Sequence, residues 1–153
     1  MEYMRIALEQ AKEAFAKKEV PIGAVLVFDN KIIAKGHNQI EFLKDATAHA
    51  EILCLREGAK ILGDFRLVES TLYVTVEPCL MCFGAATLSR VKKIVWGCSD
   101  PRHGALGGLV DLSKLEHPIH QIESIGGVMA DEARELIQTF FRGVREWKKS
   151  LKR

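Results

Sequence analysis

The sequence predicts an α/β fold of three layers, helices covering both faces of a mixed sheet of about five strands, and three observations carry that prediction. Short β-prone runs alternate with helical periodicities along the chain. One strand-helix-strand stretch, residues 71–96, is compact enough to imply a right-handed parallel crossover. Hydrophobic residues make up 48% and charged residues 27% of 153 residues, which excludes a disordered or fibrous class and fits a single domain spanning 1–153.

The elements follow in order. Met4, Leu8, Ala11 and Phe15 recur at helical spacing among charged residues, so the chain opens with an amphipathic helix. Ile22 to Phe28 is an apolar run, Asp29-Asn30 is turn-like and Lys31 to Ala34 is β-prone again, a hairpin that Gly36 ends. Thr47 precedes a helix from about His49 to Lys60, with Gly58 and Gly63 marking its exit. Thr71 to Val76 is β-branched and aromatic, Leu80 to Ser89 is a helix opened by Pro78, and Lys93 to Trp96 is a further strand. Gly104, Gly107 and Gly108 punctuate an irregular stretch before a weaker strand near Gln121 to Ile125 and a last helix from about Ala130. No internal repeat or linker interrupts this order.

The net charge of +2 hides an asymmetry. From Phe140 to Arg153, six basic residues stand against Glu146 alone, a local balance of +5 that leaves −3 on the rest of the chain. Such localisation suits a polyphosphate partner. The opening residues, Met1-Glu2-Tyr3-Met4-Arg5, resemble neither a signal peptide nor a membrane span, so a cytoplasmic location and no membrane partner are expected. In that setting the four cysteines read as metal chemistry rather than disulfides. Cys79 and Cys82 are the close pair, whereas Cys54 and Cys98 read as small buried hydrophobes.

His49-Ala50-Glu51 opens one expected helix and Pro78-Cys79-Leu80-Met81-Cys82 opens another. Each half alone is weak: HxE is common surface sequence, and CxxC serves redox and structural zinc sites as well. Ordered as HxE then PCxxC, each at a helix start, they match the known signature of the zinc nucleobase deaminases. Cysteines at i and i+3 can share one Zn²⁺ ion, with His49 as a third ligand, leaving an open position for water. Glu51 is then the candidate general acid-base, although i and i+2 do not share a helix face. Its bland alternative is a carboxylate that favours a helix start.

The runs Glu19-Val20-Pro21-Ile22-Gly23-Ala24-Val25, Thr47-Ala48-His49-Ala50-Glu51 and Leu72-Tyr73-Val74-Thr75-Val76-Glu77-Pro78-Cys79 resemble the bacterial TadA-type tRNA adenosine deaminases. That resemblance implies a cytidine-deaminase-like fold, a homodimer, and conversion of the wobble adenosine in a tRNA anticodon stem-loop to inosine. It also implies that Asn38 contacts the flipped base, that Asp100 lies near the neighbouring ribose, and that Phe141, Arg142 and Arg145 of the last helix meet the RNA. The alternatives are turn roles for Asn38 and Asp100, and a core role for both phenylalanines on the apolar face of Ala133, Leu136, Ile137, Phe140, Phe141 and Val144. Where the family carries Asn-His-Arg, this chain runs Ile119-His120-Gln121, keeping a histidine without its neighbours. Two rival functions share part of the signature: a deaminase of a free base or nucleotide (guanine, cytidine or deoxycytidylate), and a non-catalytic zinc module, against which Glu51 argues.

Overall fold

The computed structural model describes residues 1–152; Arg153, counted above in the basic tail, lies outside the described residues. In chain order the elements are α1 (Glu2–Ala16), β1 (Gly23–Phe28), β2 (Lys31–His37), α2 (Ile40–Leu43), α3 (Ala50–Leu62), β3 (Thr71–Val76), α4 (Leu80–Leu88), β4 (Lys93–Cys98), β5 (Glu123–Ile125) and α5 (Ala130–Leu151). A 3₁₀ turn at Leu112–Lys114 interrupts the glycine-rich stretch.

The sheet order is β2-β1-β3-β4-β5. β1 pairs antiparallel with β2 and β3, whereas β3, β4 and β5 run parallel, which makes the sheet mixed as the hairpin and the crossover require. At the β1–β2 turn Asp29 and Asn30 both take positive φ, 52° and 58°, the type I′ geometry that a two-residue hairpin favours. Alternation along the strands separates two cores. Ala24, Leu26, Leu72 and Val74 pack beneath α3 and α4 with Ala50, Cys54, Phe83 and Ala86. On the other face Val25, Val27 and Val95 meet Met4 and Ala7 of α1, and a further cluster gathers Leu8, Val76, Cys98 and Ala133 where the ends of β3 and β4 meet α1 and α5.

Three boundaries and one added helix differ from the sequence reading. β2 continues through Gly36 to His37, because Gly36 lies against Ala50 and Cys54 of α3 and its missing side chain admits that contact. Gly58 sits inside α3 rather than at its exit, pressed against Leu26, and Gly63 alone ends the helix in the left-handed region. β4 extends to Cys98, and the short α2 was not foreseen. Cys54 and Cys98 are buried as expected, and the Cys54 thiol donates to the Ala24 carbonyl at 3.3 Å.

Candidate active site

The metal-ligand candidates sit at the N-termini of two helices. His49 is the N-cap of α3 (φ −74°, ψ 152°) and Cys79 the N-cap of α4 (φ −78°, ψ 177°), both in extended backbone. Two helix dipoles therefore present their positive ends to one point, where thiolate and hydroxide are favoured. The caps also explain how Glu51 reaches the site. The rule that i and i+2 diverge holds within a helix, and His49 stands outside it, turned by its extended backbone.

His49 Nδ1 lies 3.6 Å from Cys79 Sγ and 3.5 Å from Cys82 Sγ. One ring nitrogen has a single lone pair or a single proton, so a hydrogen bond accounts for one of these contacts at most. A tetrahedral ion with bonds of ~2.05 Å to nitrogen and ~2.3 Å to sulfur would set N and S roughly 3.5 Å apart, so the residues fit a zinc-sized cation. All three ligand atoms lie within 4.8 Å of one another. The neighbouring Cys82 thiol and His49 hold the Cys79 thiol down to about 3, while Cys82, whose proton serves Cys79, is pushed up. Hydrogen bonding to Cys79 raises His49.

Glu51 is buried, 3% exposed, and burial raises its carboxyl to about 7. It lines an open cleft of about 1040 Å³ together with His49, Cys79, Asn38 and Asp100, and the cleft's outer wall includes Phe141, Arg142 and Arg145 of α5. Eight of the nine candidate residues thus border one cavity, and the ninth, Cys82, is buried behind it. The Asn38 side chain accepts from Ile40 N–H at 3.2 Å and donates to the Val20 carbonyl at 3.4 Å, which leaves one amide hydrogen and one lone pair for a ligand. Asp100 Oδ1 accepts from the N–H groups of Arg102 and His103. Its turn role and its place in the cleft coexist.

The phenylalanines of α5 divide. Phe140 packs edge-on against Phe15 of α1 at 5.9 Å between centroids, whereas Phe141 reaches the cleft. Lys149, two turns beyond Arg142, does not border it. His120 turns away as well, its Nε2 lying 2.6 Å from the Val91 carbonyl, so this histidine ties its loop to the start of β4.

Two buried carboxylates next to the cleft went unremarked in the sequence. Glu19 accepts from the N–H groups of Glu41 and Phe42 and so fixes the N-terminus of α2. Glu77 accepts four hydrogen bonds from the segment that carries Asp100. Sequence spacing offers no signal for either, because their partners, five backbone N–H groups and the Ser99 hydroxyl, lie 22 to 31 residues away.

The family described as MafB19-like deaminase matches residues 1–145. A tRNA-specific adenosine deaminase of Bacillus subtilis (strain 168) is 47% identical over 151 residues, covering 99% of this chain and 94% of that protein. A solved structure from a study of A-to-I editing by tRNA:A34 deaminases at the wobble position superimposes with a TM-score of 0.82 at 38% identity, covering 88% of this chain and 98% of that one. A guanine deaminase from Nitrosomonas europaea superimposes with a TM-score of 0.74 at 25% identity, covering 90% of this chain and 82% of that one.

Proposed function

The chain belongs to the MafB19-like deaminase family, and from that premise we propose that it is a zinc-dependent tRNA adenosine deaminase, hydrolysing the wobble adenosine of an anticodon loop to inosine. One observation carries the chemistry: a buried carboxyl, Glu51, stands beside a three-ligand metal site in an open cleft. A structural zinc site closes its shell with a fourth protein ligand, whereas three ligands keep a position for solvent. The near-full-length identity to a tRNA-specific adenosine deaminase supports the substrate.

His49, Cys79 and Cys82 would hold the zinc, two thiolates balancing its charge. Bound there, zinc supplies the Lewis acidity that makes water nucleophilic near neutral pH. Glu51 moves the protons. Its carboxylate takes one from water, delivers it to the ring nitrogen beside the attacked carbon, and passes the next to the departing amino group; the carbon gains oxygen and ammonia leaves. A carboxyl held near neutrality by burial works in both directions.

The remaining residues bind. Asn38 orients the flipped base with its spare amide valences, Asp100 meets the neighbouring ribose, Phe141 offers a stacking face, and Arg142 and Arg145 meet backbone phosphates. The protein works as a homodimer, a reading supported by exposed apolar side chains at Leu80, Leu88, Leu109, Val110, Leu115 and Ile119. Among the described residues no helix is long and apolar enough to cross a membrane. The bacterial relative supports a cytoplasmic location.

Incubation with an anticodon stem-loop bearing adenosine at the wobble position, alongside free guanine, cytidine and deoxycytidylate, tests the reading by mass spectrometry. Inosine in the RNA alone is expected. Turnover of guanine with none of the RNA would replace this function with that of the Nitrosomonas structure.

A further inference from the structure

We propose that Glu77 is a positioning residue for substrate binding, which registers the segment 99–108 against the metal ligand Cys79 and so sets where Asp100 meets the RNA. The inference rests on the deaminase reading above. Glu77 follows the last residue of β3, two positions before Cys79, and is only 3% exposed. Oε1 accepts from Ser99 Oγ at 3.1 Å and from the Asp100 N–H at 3.0 Å; Oε2 accepts from the N–H groups of Leu106 and Gly108, both at 2.8 Å. Among the described residues it forms no ion pair. A buried carboxylate without a cation is costly unless hydrogen bonds offset its desolvation, and here all four come from one segment.

The segment is shaped to receive it. A Cβ on Gly104 would collide with the Glu77 carboxylate, and one on Gly108 with the Asp100 carbonyl, so both glycines let the backbone wrap the side chain closely. The Ala105 N–H donates to the Pro78 carbonyl at 2.9 Å, and Gly104 bridges to Cys79, which fastens the wrapped segment to the turn that carries the metal ligand into α4. Asp100, Arg102 and His103 then stand on the cleft wall. Four donors saturate a carboxylate, so Glu77 has no acceptor left for RNA and acts through the segment it holds.

The test uses steady-state kinetics on the stem-loop, normalised to zinc content, for Glu77→Gln, Asp100→Ala and their combination. An amide accepts through its oxygen alone, so Glu77→Gln leaves donors of the segment unpaired. Expected is about one zinc per chain, KM raised about tenfold, and kcat within about twofold of the parent. With Asp100→Ala already present, the same change should move KM by less than about threefold, because both act through one contact. A fall in kcat at unmoved KM, or full additivity, would overturn the proposal. Ser99→Ala removes one of the four bonds at an exposed hydroxyl and should raise KM by a smaller factor; should Glu77→Gln fail to fold, an unmoved KM in Ser99→Ala decides against Glu77. A parent enzyme that makes no inosine from the stem-loop sinks the deaminase reading itself, a separate result.

Discussion

Burial acts on Glu51 and His37 in opposite directions, since each is driven toward its neutral form. For Glu51 the consequence is catalytic. Glu51→Ala is expected to keep the fold and about one zinc per chain while losing at least ~10²–10⁴ in turnover of the stem-loop, and near-parental turnover would remove it from the mechanism. The metal assignment is checked the same way: Cys82→Ala should lose zinc by metal analysis, whereas Cys54→Ala, a buried thiol with a backbone partner, should retain it. For His37 the consequence is stability. Its ring lies at the end of β2 near Gln10, Glu13, Lys17 and Glu19, and its Nε2 has no partner among the described residues. Burial, then Lys17, hold it below its ordinary value, against Glu13 and Glu19. The depressed pKa means that the contribution is complete above the unfolded value of ~6.5 and is lost as pH falls through the folded one. Urea unfolding at about pH 7.5 and 5.5 should therefore show parent and His37→Gln differing more at the higher pH; a constant difference would show that His37 titrates alike folded and unfolded.

At the scale of the element, helix ends decide the chemistry. α3 and α4 begin one residue after His49 and Cys79, so the turns that enter the two helices aim the ligands and the helix dipoles at one place. Both helix starts were legible in the sequence, whereas the extended backbone that turns His49 and Cys79 out of their helices was not, since an N-cap departs from the geometry that periodicity measures. α5 shows the same division. Arg142, Arg145 and Lys149 recur at i, i+3 and i+7 along it, yet only the two arginines border the cleft. Each phosphate contact with single-stranded RNA contributes roughly −0.7 to the slope of log affinity against log salt. Replacing Arg142 and Arg145 with Gln should flatten that slope by about 1.4 units, and adding Lys149→Gln should change it little further. A slope unaltered by the pair would place the RNA grip elsewhere.

At the scale of the molecule, sedimentation at about micromolar concentration should give a dimer, with association masking the apolar side chains at Leu88, Leu109 and Leu115. A monomer with full activity would remove the dimer from the mechanism. Much of the architecture was present in local pattern. The β-branched and aromatic run Thr71–Val76, the turn pair Asp29-Asn30 and the spacing of Cys79 and Cys82 each act over a few residues, so the strand, the hairpin and the metal motif could be read directly. The sequence by itself determined the chemistry the chain can perform, because ligand type and the presence of Glu51 are matters of composition at fixed spacing. Only the tertiary structure decided where that chemistry meets a substrate. Bringing His49 to Cys79, Glu77 around the segment 99–108, and Arg142 to the cleft depends on sheet order and on backbone donors distant in the chain, and such contacts leave no periodic trace in the residues that make them.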